Sequence, residues 1–164
     1  MVRVPIRYLP KGLSKKDRSQ QARMLSRSRK LYKKHKYYTR KMVPSFHSKT
    51  SNHIENARKI YKMQNIIPSK ELSNKTGCSL EALKKIVNKG EGAYYSSGSR
   101  PNQTAQSWGY ARLASSITGG KAAAVDYDIL ESGCNHSKTA FILAKKSRKK
   151  YKYGHSKTKK VLLN

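Results

Sequence analysis

Between Ser14 and Tyr38 apolar side chains are sparse. Met24, Leu25, Leu31 and Tyr32 make a thin stripe at helical spacing in a run otherwise dominated by lysine, arginine, serine and glutamine. Ser14 stands where an N-cap belongs and Asp17 holds the capping-box position, so a helix is predicted to begin there. Upstream, VRVPIRYLPKGLS carries Pro5, Pro10 and Gly12, which forbid a helix and favour an extended segment. Downstream of TRKMVPSFHSKTS, Ser51 or Asn52 caps a second helix, HIENARKIYKMQ. Its Ile54, Ala57, Ile60 and Tyr61 form a fuller apolar face, expected to dock on the central part of the chain.

From Pro68 the text PSKELSNKTGCSLEALKKIVNKG predicts a short helix over 69–75, a turn at Thr76 and Gly77, and a helix capped by Ser79 and ended by Gly90. Leu72, Leu80, Leu83, Ile86 and Val87 share one face. This is the outline of a helix-turn-helix that would offer Glu81, Lys84, Lys85 and Asn88 to a groove. Any two packed helices joined through a glycine give the same pattern, so a plain helical hairpin is the simpler reading, with Lys84, Lys85 and Lys89 still able to touch phosphates. Next, GAYYSSGSRP (92–101) reads as a turn between helices, with Tyr94 and Tyr95 at the edge of the core. Thr104 then caps a helix to about Ile117, with Trp108 as a core anchor, and Gly119 and Gly120 supply its stop.

Charge changes the picture. The 164 residues carry a formal charge of +29, and it is unevenly spread. Met1 to Lys70 hold 20 Lys and Arg against two acids, Ser132 to Asn164 hold 10 bases and no acid, and the stretch between is within one charge of neutral. The expected architecture is therefore mainly α: a basic N-terminal arm with one or two helices (1–65), a near-neutral central helical domain (66–133) and a basic C-terminal tail (134–164). Arms so charged call for an anionic partner, nucleic acid first, with an anionic membrane surface or an acidic protein surface behind it. In the first arm the candidate contacts are Arg23, Arg27, Arg29, Lys30, Lys33, Lys34, Lys36, Arg40 and Lys41. The thin stripe beneath them predicts a helix that firms up on its partner. In the tail they are Lys145, Lys146, Arg148, Lys149, Lys150 and Lys152, interleaved with Tyr151 and Tyr153, whose rings suit stacking on unpaired bases. A short apolar patch, Ala140 to Ala144, is available for docking.

Catalytic and metal chemistry find little support. Ser96, Ser97 and Ser99 have no histidine between His53 and His136 to activate them, no G-x-S-x-G elbow is present, and TGGK at 118–121 lacks P-loop spacing. Asp126 and Asp128 do not make an acid and base pair without a further partner. Cys134 and His136 fall short of a four-ligand zinc pattern, so no metal or cofactor is expected. Two cysteines are too few for a disulfide scaffold and no apolar signal or membrane span is evident. These features point to buried thiols in a reducing compartment. Arg100 has two readings, gripping an anion with the SSGS backbone or pinning loop carbonyls and an acid within the fold, and the second is preferred.

The block GEGAYYSSGSRPNQTAQSWGYARLASSITGGKAAAVDYDIL, with RYLPKGLSKKDR, SRKLYKKHKYYTRK and ELSNKTGCSLEALKKIV upstream, resembles small lysine-rich proteins of unassigned function from large DNA viruses of algae. A shorter form of the block occurs in some phage proteins. The resemblance covers most of the chain up to about Cys134. It implies a virion component, intracellular in the infected host cell, and brings no catalytic residue or cofactor. With the charge pattern it leads to the expectation of a non-enzymatic viral structural protein that binds nucleic acid, DNA ahead of RNA, through its arms. The alternative is a minor capsid or cement protein bridging capsid subunits or the inner membrane.

Overall fold

The computed structural model describes residues 2–154 and 158–163. Residues 155–157 of the predicted tail lie outside the described residues. The chain is mainly helical: β1 (Arg3–Pro5), a 3-10 turn (Ile6–Tyr8), α1 (Lys15–Lys33), α2 (Asn52–Tyr61), α3 (Lys70–Thr76), α4 (Leu80–Ser96), α5 (Ala105–Ile117), α6 (Lys121–Val125), α7 (Tyr127–Gly133), α8 (Thr139–Tyr151) and β2 (Lys160–Leu162). It divides into two compact units. One comprises residues 1–49, 91–108 and 157–164; the other comprises 50–90 and 109–156. The N-terminal 65 residues are thus shared between both units, and the C-terminal segment likewise.

In the first unit, β1 and β2 pair antiparallel with Val4 opposite Val161. The proline-rich start is extended only over Arg3–Pro5, where it is tied to the far end of the chain, and then turns through the 3-10 segment Ile6–Tyr8 instead of continuing extended. Ser14 caps α1, its hydroxyl accepting from the Asp17 N–H at 3.1 Å. The face that α1 buries is only half apolar: Ala22, Met24 and Leu25 share it with Asp17, Gln21 and Ser28. Each polar member makes a hydrogen bond to a distant segment that makes burial tolerable, although among the described residues the Gln21 side-chain oxygen has no partner. The Asp17 carboxylate accepts from the Ser45 N–H at 2.8 Å, the Gln21 amide donates to the Tyr8 carbonyl, and the Ser28 hydroxyl donates to the Tyr95 carbonyl. Leu25 packs with Val4, Tyr8, Leu9 and Leu163, while Trp108 lies against that cluster, edge-on to Tyr8. Met24 joins Leu13 and Val43. The helix is therefore held by the chain's own core and needs no anionic partner to form.

The second unit has the larger core, built from Leu72, Leu83, Ile86, Leu113, Ile117, Leu130 and Phe141 among others. Ser79 takes the capping role expected of it, Ser69 caps α3 rather than beginning it, and Gly77 closes α3 at φ 76°. Ala57 and Tyr61 of α2 enter this core, as its apolar face predicts, although Ile60 stays outside at 41% exposure. The predicted tail is also folded here: Ala140, Phe141 and Ala144 of α8 are fully buried.

Two expectations are corrected. First, α4 does not stop at Gly90 but runs to Ser96, so the first half of GAYYSSGSRP is helical. Gly90 serves packing: a Cβ there would sit 2.7 Å from the Gly109 Cα of α5, so the missing side chain lets two helix backbones meet. The helix closes later, where the Ser97 and Gly98 N–H groups both donate to the Ala93 carbonyl and Gly98 adopts φ 120°. Second, the two cysteines are not free thiols. Cys78, in the turn between α3 and α4, is disulfide-bonded to Cys134 at the end of α7, and the Ser79 and Asn135 N–H groups bond across the same junction to Gly133 and Gly77.

The second unit also holds a buried carboxylate. Asp126, between α6 and α7, is 1% exposed; it accepts from Arg112 through both oxygens at 2.8 and 2.7 Å, with Lys89 Nζ at 3.1 Å and the Ser116 hydroxyl at 3.3 Å. Burial alone would raise its pKa. The Arg112 hydrogen bonds and charge, joined by those of Lys89, more than reverse that and hold it below the usual 3.8. Asp17 is lowered too, chiefly by its hydrogen bonds to Ser45. A depressed carboxylate contributes stability that is fully present above the unfolded pKa and lost as pH falls through the folded one. Thermal melts should therefore be level between about pH 5 and 7 and decline below about pH 4. In an Asp126→Asn variant the decline should be shallower; an unchanged acid limb in that variant would remove Asp126 as its source.

Candidate nucleic-acid interface

The first unit carries 20 Lys and Arg against two acids, Asp17 and Glu91, a net of +18. Asp17 is buried and already bonded, so it screens little of the charge on α1. Opposite the buried face, Arg23, Arg27, Lys30 and Lys34 fall at intervals of four, three and four residues and are all exposed. With Ala22, Ser26 and Leu31 they make up one open face of the helix. The row is about 16 Å long at 1.5 Å per residue. Arg27 is set by stacking over the Tyr38 ring at 4.7 Å, and Lys30 and Lys33 in the last turn suit the negative end of the helix dipole. Lys33, Lys36 and Lys41 are also exposed, whereas Arg29 is half-buried and donates to the Ser97 carbonyl at 2.9 Å.

Arg40 does not belong to this surface. It is 6% exposed, stacked with its guanidinium carbon 3.8 Å from the Tyr94 ring centroid. Nη1 donates to the Tyr94 carbonyl at 2.8 Å and the Ser28 hydroxyl at 2.9 Å, and Nη2 donates to the Ser99 hydroxyl at 2.8 Å. Its own N–H donates to the Tyr94 hydroxyl. Burial pushes its pKa down, opposed by the surrounding tyrosines. The loop-pinning role expected of Arg100 thus falls to Arg40 and Arg29, which reach in from the N-terminal segment, while Arg100 is exposed. Asn102 completes the socket: at φ 62°, its side chain accepts from the Val43 N–H at 2.7 Å and donates to the Val43 and Phe46 carbonyls.

In the second unit, Lys84 and Lys85 are exposed on α4 beside Glu81 and Asn88. Lys89 is drawn to Asp126 instead. On α8, Lys145 and Lys149 form one exposed row and Lys146 and Lys150 a second, with Lys145 Nζ lying 5.5 Å from the Phe141 ring centroid. Arg148 lies between two tyrosines, 5.0 Å from the Tyr127 centroid and 4.3 Å from that of Tyr153, and donates to the Ala124 carbonyl; its head is occupied by the fold. Lys152 is exposed beyond the helix. His136 stacks on Phe141 and Cys134 is in the disulfide, and among the described residues no three His, Cys, Asp or Glu gather as a metal site would require. Among those residues, too, no helix is long and apolar enough to cross a membrane.

Sequence reasoning passed over one exposed group. After α1 the backbone reverses at His35 (φ 58°), where the His35 and Lys36 N–H groups donate to the Tyr32 and Leu31 carbonyls. The reversal brings Tyr37 back beside Tyr32 and Tyr95, with ring centroids 6.2 and 5.0 Å away, and leaves it 70% exposed. The adjacent tyrosines of KYY in a basic run were the signal. A family model described as a family of unknown function (DUF5824) matches residues 5–132. No curated protein and no solved structure matches the chain.

Proposed function

We propose, because the chain belongs to the DUF5824 family and that family has no assigned function, a role read from the chain's own charges. It is a non-enzymatic protein that binds a polyanion, nucleic acid first and DNA ahead of RNA. The observation that supports this reading is the α1 row of Arg23, Arg27, Lys30 and Lys34, preformed on a packed helix and almost free of acids. A preformed row spares the ordering cost that a disordered arm incurs on binding. Lys84, Lys85, Lys145, Lys146, Lys149 and Lys150 add phosphate contacts without base specificity. The resemblance to lysine-rich viral proteins supports a virion component that lies along the packaged genome.

Phosphate-dominated binding releases counterions, so affinity for a DNA duplex should fall by a factor of about 10³ or more between about 50 and 200 mM salt. Replacing Arg23, Arg27, Lys30 and Lys34 together by glutamine should reduce the slope of log K against log salt by about 3.6. Because all four are exposed, the melting temperature should hardly move. Salt titrations by fluorescence anisotropy read both quantities. A salt-independent isotherm, or saturable binding to purified capsid protein with none to DNA, would favour the cement-protein reading instead.

A further inference from the structure

We infer that the partner of the α1 surface is single-stranded nucleic acid, with Tyr37 as the platform on which an unpaired base stacks; this rests on the polyanion reading above. Tyr37 follows three exposed lysines, Lys33, Lys34 and Lys36, so the ring stands at the basic end of α1, on the side of Tyr32 and Tyr95 rather than on the line of the row. A ring that is 70% exposed contributes little to the core, yet this one is held in place. Tyr95 supports it at 5.0 Å, and Tyr95 in turn meets the fully buried Tyr94 edge-on at 5.1 Å. Arg40 fixes the other end of the return strand by donating its backbone N–H to the Tyr94 hydroxyl. The ring is thus pre-positioned, and its stacking on a base loses little side-chain entropy.

Duplex DNA hides its base faces within the stack and can use only the lysines and arginines. A single strand can use the lysines at the end of α1 and the ring together, and stacking of this kind tolerates any base. The neighbouring Tyr38 cannot serve, because it is half-buried beneath Arg27.

The test compares a fluorescently labelled oligothymidylate, a duplex with the same number of phosphates, and heparin as a polyanion without bases. Each is titrated at one salt concentration against the full chain, Tyr37→Ala and Tyr37→Phe. The single strand should bind tighter than the duplex. The ratio of the two affinities should fall roughly tenfold in Tyr37→Ala and persist in Tyr37→Phe. A wild-type protein that binds the duplex or heparin as tightly as the single strand, or a ratio unmoved by Tyr37→Ala, overturns the inference while leaving the polyanion reading intact. Failure to bind any of the three overturns both.

Discussion

An Arg40→Ala variant should lose about 3–5 kcal/mol of stability, because truncation strands several buried polar groups at once. The Tyr94 carbonyl and the Ser28 and Ser99 hydroxyls lose the guanidinium donor, and the Tyr94 ring loses the cation stacked on it. Among the described residues Arg40 is in no ion pair, and its burial is offset by hydrogen bonds and by the tyrosine ring. In a chain of this size such a loss should lower the melting temperature by roughly 10 °C. Arg40→Lys should not rescue it, since a single ammonium cannot span the Tyr94 carbonyl and the Ser99 hydroxyl or lie flat on a ring. Arg40→Met keeps much of the volume and removes the cost of burying a charge, so it should recover part of the loss while leaving the oxygens without a donor. Urea melts of the three variants read this order. If Arg40→Ala came within about 1 kcal/mol of wild type, the socket would not be what holds residues 28–46 in place.

The same socket shows what the residue pattern could carry and what it could not. Helix starts were legible because they depend on local chemistry: Ser14 and Ser79 each accept from the N–H three residues on, as their positions require, and Ser69, read as the first residue of its helix, does the same one position earlier. The row on α1 was legible for a similar reason, since its spacing is the helix period. The buried face of α1 was not, because it is completed by Asp17, Gln21 and Ser28, whose partners lie at Ser45, Tyr8 and Tyr95. A count of apolar positions sees only Ala22, Met24 and Leu25 there and concludes that the helix needs an outside partner.

Glycine misled in a related way. Gly90 and Gly92 mark a helix end by propensity, but a glycine also lets backbones approach, and the Gly109 backbone that decides the case at Gly90 lies 19 residues further on. The serine- and glycine-rich stretch after them was open to reading as an anion cradle. Its carbonyls and hydroxyls instead accept from two arginines of the N-terminal segment, Arg29 and Arg40. Long-range pairing of this sort leaves no periodic trace. The feature that most resembled a ligand site therefore turned out to be the seat for the segment that displays Tyr37.

Removing the Cys78–Cys134 disulfide should have an effect of comparable size, confined to the second unit. The bond joins residues 56 apart in sequence, and cross-linking a loop of that length restricts the unfolded chain by about 4 kcal/mol on the chain-entropy account. Both sulfurs are buried where the α3–α4 turn meets the end of α7. Serine there would also leave hydroxyls in a site built for sulfur, so Cys78→Ala with Cys134→Ala is the cleaner change. The oxidised protein should show no titratable thiol before denaturation or reduction, and the double alanine variant should melt roughly 8–16 °C lower. The wild-type chain should approach that value once reductant and heat expose the bond. Hydrogen exchange should quicken at the Ser79 and Asn135 amides, which bond across the junction, and stay unchanged at the Arg40 amide in the other unit. Two free thiols in the native protein under air, with a melting point indifferent to reductant, would restore the picture of buried reduced cysteines. The junction would then depend on its two backbone hydrogen bonds and the packing of Ala82 against Gly133.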